Sequence, residues 1–214
     1  MGAPRKQRRK YSTPFHPWQR ERIDEENQLQ IDYGLKNKTE IWRSRSLLTN
    51  FFSQAKRLTA VKTAQTEKEK VQLINRLKSL GLAGETATLN DVLELTLIKI
   101  LDRRLQSVVF KKGLARSMKQ ARQLITHRHI SVAGRNTTSP GHIVLKDEEP
   151  TINYTLNSSF IDEMHPERMK PGEKPKKQKK AQPSEKEAHG RQDRQNKGRR
   201  QNNRSEGRGR RDRQ

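Results

Sequence analysis

The chain has 214 residues, of which 47 are Lys or Arg and 24 are Asp or Glu, giving a formal charge of +23, and only 29% of it is apolar. So small an apolar share cannot support a packed core throughout, and part of the chain is expected to be disordered or to fold only on a partner. The absence of cysteine excludes disulfides, thiolate zinc sites and cysteine nucleophiles, no stretch approaches the roughly 20 apolar residues of a membrane span, and the positive excess calls for a polyanion, either nucleic acid or an anionic membrane surface.

Residues 1–34 read as an extended basic arm. Its first ten residues are basic with no apolar stretch after them, so no secretory signal is expected. Pro14 and Pro17 interrupt any helix there, and Tyr11, Phe15 and Trp18 are candidate anchors. A short helix is expected from about Trp18 to Tyr33, ending at Gly34. From Thr39 the pattern turns helical, with Leu47, Leu48, Phe51, Phe52, Ala55 and Leu58 on one buried face. A second helix is expected from Thr66 to Leu80, with Leu73, Leu77 and Leu80 on its stripe, Val71 and Ile74 alongside, and Gly81 past its end. Thr88 and Asp91 fit a capping box opening a short helix through Val92, Leu93 and Leu95.

Thr96 is placed to cap a single helix carrying Ile98, Leu101, Leu105, Val108, Val109 and Phe110, closed by Gly113. Ser117 opens the next helix with Gln120 as its capping-box partner, and Met118, Ala121, Leu124 and Ile125 form its apolar stripe as far as His127-Arg128-His129. The period then changes to two. Ile130 and Val132, Ile143 and Leu145, and Ile152 and Tyr154 alternate with polar residues around the turn signals Ala133-Gly134 and Pro140-Gly141. The fold class expected is α+β: a mostly helical region at 35–102 after the arm, a module of two helices packed on a short antiparallel sheet at 103–165, and a disordered basic tail at 166–214. That tail holds 18 Lys or Arg against seven acids and no Val, Ile, Leu or aromatic residue, so it has nothing to bury and is expected to lie along phosphates.

The charge inside the module is the more informative. Between residues 103 and 135 stand nine cations (Arg103, Arg104, Lys111, Lys112, Arg116, Lys119, Arg122, Arg128 and Arg135) and no acid at all. A solvated face would mix signs. Lys111 and Lys112 also suit the negative end of a helix dipole, but that cannot account for all nine. The N–H groups after Ser117 add an anion-binding helix start, and Arg116, Lys119, Arg122 and Gln123 are expected to project away from the apolar stripe. A DNA-reading helix pair usually comes as a dimer, and nothing here reads as a dimerisation element; A-form RNA favours shape and phosphate reading.

The run from Arg103 to Arg135 (RRLQSVVFKKGLARSMKQARQLITHRHISVAGR), continuing through TSPG at 138–141 to the Ile152/Tyr154 strand, closely resembles the RNA-binding module of the ribosomal protein S-four family. YSTPFHPWQRER at 11–22, YGLKNKTEIW at 33–42 and ATLNDVL at 87–93 resemble its archaeal and eukaryotic members, so that the likeness covers about residues 3–165. The resemblance implies a structural constituent of the cytoplasmic small ribosomal subunit: a primary binder of small-subunit ribosomal RNA that nucleates assembly of the 5′ domain, sits near where messenger enters, affects decoding accuracy, and neighbours ribosomal protein S-five and other small-subunit proteins. It maps an RNA face onto Arg104, Arg116, Ser117, Lys119, Gln120, Arg122, His127 and Arg135. Arg103, Lys111, Lys112, Gln123 and Arg128 join that face from the charge reading, and Arg5, Lys6, Arg8, Arg9, Lys10, Tyr11, His16 and Trp18 of the arm are expected as secondary RNA contacts. The cysteine zinc knot of bacterial relatives is absent, and the long tail exceeds the family core.

No cofactor, metal, membrane or small-molecule substrate is expected. The same module occurs on RNA-modifying enzymes and tRNA synthetases, but the region before residue 103 is too short and too helical for their catalytic domains. His127 and His129 flank a cation and make a poor metal site, and Asp91 and Glu94 read as helix-start charges rather than an acid/base pair. The competing readings are an assembly factor of the same build, a DNA-binding regulator and an RNA-modifying enzyme.

Overall fold

The computed structural model describes residue 9 and residues 11–61, 63–162 and 164–168. Arg5, Lys6, Arg8 and Lys10 of the arm, and the tail from residue 169 onward, lie outside the described residues.

Helix α1 (Arg20–Asp32) runs to Tyr33 and Gly34. Gly34 has φ +57°, and a Cβ there would stand 3.0 Å from Cβ of Met118 and 3.2 Å from Nε2 of Gln106, so both the backbone angle and the close approach require glycine. Helix α2 (Lys38–Ala60) buries Ile41, Ser44, Leu48, Phe51, Ala55 and Leu58, spaced alternately three and four residues along a single stripe. Helix α3 (Ala64–Ser79) packs against it through Leu73 and Leu77. It begins two residues before the expected start because Thr63 and Thr66 cap each other: the Thr66 N–H donates to the Thr63 hydroxyl (3.3 Å), and the Thr63 N–H to the Thr66 hydroxyl (2.9 Å). Val71, expected beside the stripe, faces solvent. Gly81, at φ +67°, ends the helix as expected, with the Leu82 N–H turning back to the Leu77 carbonyl (3.0 Å). Helix α4 (Leu89–Leu93) opens with the Thr88 N–H on the Asp91 carboxylate at 2.8 Å, which occupies Asp91 as a cap.

The single helix expected across 97–112 is two, α5 (Leu97–Asp102) and α6 (Leu105–Lys111). Arg104 is extended (φ −69°, ψ 142°) and pairs with Ile143 as an antiparallel bridge. The Val144 N–H donates to the Arg103 carbonyl (2.9 Å), and the Leu105 N–H to the His142 carbonyl (2.7 Å). A neighbouring strand-like segment thus takes over the hydrogen bonds that a continuous helix would make. The break resets the helical phase, so Ile100 and Leu101 are buried while Ile98 is half exposed. It also fixes the partner segment's phase: Val144 is fully buried, whereas Ile143 and Leu145, the expected inward residues, are only partly so.

Helix α7 (Met118–Thr126) buries Met118, Ala121, Leu124 and Ile125, as its stripe predicts. It ends with Arg128 at φ +63°. Strand β1 (Ile130–Val132) lies between β2 (Arg135–Asn136) and β3 (Asn153–Tyr154), antiparallel to both. The β1–β2 turn has two central residues, Ala133 and Gly134, both at positive φ as a tight hairpin demands. One core forms where Leu105, Val108 and Val109 of α6 and Ala121, Leu124 and Ile125 of α7 meet Ile130, Val132, Val144 and Ile152. A second, helical core holds Leu48, Phe51, Ala55, Leu58, Leu73, Leu77, Val92 and Ile100, with Ile143 packed against it. The architecture is therefore α+β, with two helices on a three-stranded antiparallel sheet after a helical region.

A buried amide ties these parts together. Nε2 of Gln106, which is 1% exposed, faces the carbonyls of Tyr33 (3.1 Å), Gly34 (3.2 Å) and Met118 (2.8 Å).

Candidate nucleic-acid interface

The nine cations of 103–135 do not form one exposed face; the structure divides them. Arg104 is 5% exposed and pairs with Glu40 of α2, which also receives Arg122 at 2.7 and 3.2 Å. Burial pushes the Glu40 carboxyl up, but hydrogen bonds and charge from Arg122 and Arg104 outweigh it and hold the group below its ordinary value. Burial lowers Arg104 from the ordinary guanidinium value against the opposing pull of Glu40. The expectation that Arg122 projects freely from the stripe is thus corrected: its guanidinium is tied to Glu40, 82 residues earlier in the chain. Arg103 donates to Glu149 (2.7 Å) and to the Val144 carbonyl (2.9 Å). Lys111 pairs with Asp102 (3.0 Å), whose other oxygen accepts from the Tyr33 hydroxyl (2.9 Å), and Lys112 reaches the Ile152 carbonyl (3.3 Å). Burial, together with the bond to Asp102, raises the Tyr33 phenol well above its ordinary value.

At the start of α7, the Ser117 hydroxyl accepts from the Gln120 N–H (3.2 Å). The expected reciprocal half of the box is displaced by one residue: the Gln120 side-chain oxygen takes the Arg116 N–H (2.6 Å) instead of that of Ser117. The segment after β3 lies over this end. Arg116 donates to the carbonyls of Pro166 (2.6 Å) and Arg168 (3.0 Å), and Gln120 to that of Glu167 (2.9 Å). Arg116, too, is therefore engaged within the protein rather than projecting.

Lys111 and Lys112 remain exposed despite their contacts, and a further set faces outward as well. Lys119, Gln123 and His127, spaced four apart along α7, are all exposed, as are Arg128 at its end and Arg135 just past the hairpin turn. These five share the module's acid-free stretch, and among the described residues none of them is in an ion pair. Elsewhere, α2 and the 139–143 loop enclose a cleft of about 460 Å³ lined by Arg43, Ser44, Asn50, Arg104 and Arg122, with the Glu40 carboxylate among them. The arrangement offers cations and amide donors on a rigid helix face, suited to a phosphate backbone.

The described part of the arm is held against the helices. The Arg22 guanidinium donates to the carbonyls of His16 (2.9 Å) and Pro17 (2.8 Å) and to Glu26 (2.7 Å), Ser12 bonds to Ser46 (3.0 Å), and Tyr11 lies 6.2 Å from the Trp42 ring. Of the three expected aromatic anchors, only Tyr11 packs on the protein; Phe15 and Trp18 are 90% and 91% exposed. Arg9 and His16 of the arm are exposed as well. Glu40, Arg43 and Arg45 were not among the expected site residues. Glu40 carries no local signal, because its partners lie 64 and 82 residues away, whereas Arg43 and Arg45 stood in plain view as the polar flank of the α2 stripe.

His127 and His129 have ring centroids 6.5 Å apart, and among the described residues no group of three His, Asp or Glu is arranged to hold a metal ion. Among the described residues, no helix is long and apolar enough to cross a membrane.

Residues 103–149 match the S4 domain. The chain is 54% identical over 169 residues to the small ribosomal subunit protein uS4 of Thermoplasma acidophilum, covering 78% of this chain and 85% of the relative. It is 48% identical over 199 residues to that of Thermoplasma volcanium, covering 90% of this chain and all of the relative. Against the protein of the same name from Saccharolobus solfataricus it is 50% identical over 161 residues, 75% of this chain and 89% of the relative. With half its residues shared across nearly the whole length of such relatives, and with an S4 domain whose helix face is built as described, the chain belongs to the uS4 family of small ribosomal subunit proteins.

Proposed function

We propose that the protein is a structural, non-enzymatic component of the cytoplasmic small ribosomal subunit that binds the subunit's ribosomal RNA. The observation that carries this reading is the outward face of α7, where Lys119, Gln123 and His127 line up beside Arg128 and Arg135 in a stretch free of acids. RNA phosphates are the partner such a face fits, and the S4 domain and the names of the relatives point the same way. The finer reading is a primary RNA binder that nucleates assembly of the 5′ domain, contributes to decoding accuracy and neighbours ribosomal protein S-five. Within it the sequence-predicted site residues take two roles. The outward set, Lys119, Gln123, His127, Arg128 and Arg135, touches RNA. The set engaged within the protein, Arg103, Arg104, Lys111, Lys112, Arg116, Ser117, Gln120 and Arg122, of which Lys111 and Lys112 stay exposed, shapes the surface and lends it positive potential. The division of the chain into arm, helical region, module and tail is part of the same proposal.

Lys119→Ala combined with Gln123→Ala and His127→Ala is expected to weaken binding to a small-subunit ribosomal RNA transcript while stability stays within about 0.5 kcal/mol, as for other exposed sites. The salt dependence of log K should flatten by about one unit for the lost lysine contact. Unchanged affinity in the triple variant would count against this face. A sucrose-gradient profile tests the cellular role: co-sedimentation with mature subunits at high salt supports a structural component, whereas presence on immature particles alone supports an assembly factor.

A further inference from the structure

Phe15 and Trp18 are the two aromatic side chains that the fold does not use. The chain has ten Phe, Trp and Tyr residues, and the other eight are buried or partly buried. A protein this poor in aromatics nevertheless leaves its two most exposed rings, at 90% and 91%, a few residues apart on one segment. Apolar surface held in water is unfavourable and signals a partner when it is displayed rigidly. Here the display is rigid. Pro14 and Pro17 fix the backbone around Phe15. The Arg22 guanidinium, its side chain only 11% exposed, clamps the carbonyls of His16 and Pro17. Arg22 is in turn held by Glu26, whose carboxylate also accepts from the Trp42 indole (3.0 Å) and lies 3.5 Å from Lys38. The hub that joins α1 to α2 thus also holds this turn of chain in place, with both rings exposed.

The charge of this stretch of sequence and the pocket beside Phe15 identify the occupant. Residues 1–22 carry seven Lys or Arg against a single acid, Glu21, and Arg45, exposed on α2, lines the same pocket as Phe15 and His16. An apolar pocket on a protein gains nothing from a segment so rich in cations. A polyanion with flat π faces satisfies both features, and those faces are open only where bases are unpaired, since a duplex hides them in its stack. We infer that Phe15 and Trp18 form a stacking platform for unpaired bases of a loop or bulge in the RNA. This rests on the RNA-binding reading above and adds to it the nucleotide state that the arm selects.

The test uses the full-length protein and a small-subunit ribosomal RNA transcript. Phe15→Ala and Trp18→Ala are each expected to lower affinity about 5- to 100-fold, the range of one lost base–aromatic stack, with no change in the salt slope because no cation is removed. Trp18→Tyr, which keeps a ring, should retain most of the affinity, while Trp18→Leu, equally apolar, should behave as the alanine variant does. Binding should quench the fluorescence difference between the wild type and Trp18→Phe. If both alanine variants bind as the wild type while Lys119→Ala is weakened, the platform is overturned and the RNA reading stands. If the variants bind the transcript normally but no longer join the subunit, the rings serve a protein pocket and the platform is likewise overturned. If the wild type itself does not bind the transcript, the RNA reading falls and the platform falls with it.

Discussion

Replacing Glu40 with alanine is expected to destabilise the protein by about 3–5 kcal/mol, the usual result of stripping one partner from a buried ion pair. Its carboxylate is the acceptor shared by Arg104 and Arg122, whose side chains are 6% and 22% exposed. Without it, two guanidiniums stand side by side with little water to screen them. Glu40→Gln should recover part of the loss, since an amide oxygen still accepts a hydrogen bond but supplies no charge. Urea or thermal unfolding of the two variants reads the effect, and a cost below about 1 kcal/mol would mean that water screens the cluster as it does a surface pair. The acid limb of the stability profile is an independent check. The folded-state carboxyl is held below its ordinary value of 4.5, so its contribution is complete above that value and fades as the pH falls through the lower folded-state value. The wild type should lose this part of its stability only in acid, and Glu40→Gln should show a flatter limb.

Leu124→Asp is expected to unfold the module outright. Leu124 is 2% exposed and belongs to an apolar cluster with Val108, Ile125, Ile130 and Val144. Losing a buried leucine side chain costs about 3 kcal/mol. The unpaired polar group adds to that, and the sum approaches the whole stability of a typical domain, about 5–15 kcal/mol. Circular dichroism and amide-exchange protection across 103–158 would show the collapse. Leu124→Met, nearly equal in volume, should fold and bind as the wild type. A folded Leu124→Asp protein would mean that this stripe is not the core.

Elements set by local chemistry were legible in the residues alone. The α2 and α7 stripes, the Gly34, Gly81 and Gly113 helix ends and the Ala133-Gly134 hairpin all follow from spacing and backbone preference. The break at Arg103-Arg104 was not. Apolar spacing runs on through it, and its cause is a strand-like partner at 142–144, about forty residues further along the chain. The cation-rich stretch at 103–135 was countable in the sequence. It did not tell Lys119, which faces water, from Arg122, whose fate is decided by a glutamate in another helix. Charge is countable in a sequence, whereas its pairing is a property of the packed chain.

The buried amide of Gln106 bears on how freely this module can be treated as an interchangeable part. It sits on α6 yet spends its donors on carbonyls at the end of α1 and at the start of α7, in a space that only a glycine at position 34 leaves open. A chimera that grafts residues 103–168 onto a foreign protein would carry this amide, together with Arg104 and Arg122, to a neighbour offering neither the Tyr33 and Gly34 carbonyls nor the Glu40 carboxylate, leaving the amide only the Met118 carbonyl. The transplantable unit is therefore larger than the family domain at 103–149: it must bring the Tyr33-Gly34 corner and Glu40 with it, or have those three polar side chains redesigned for their new host.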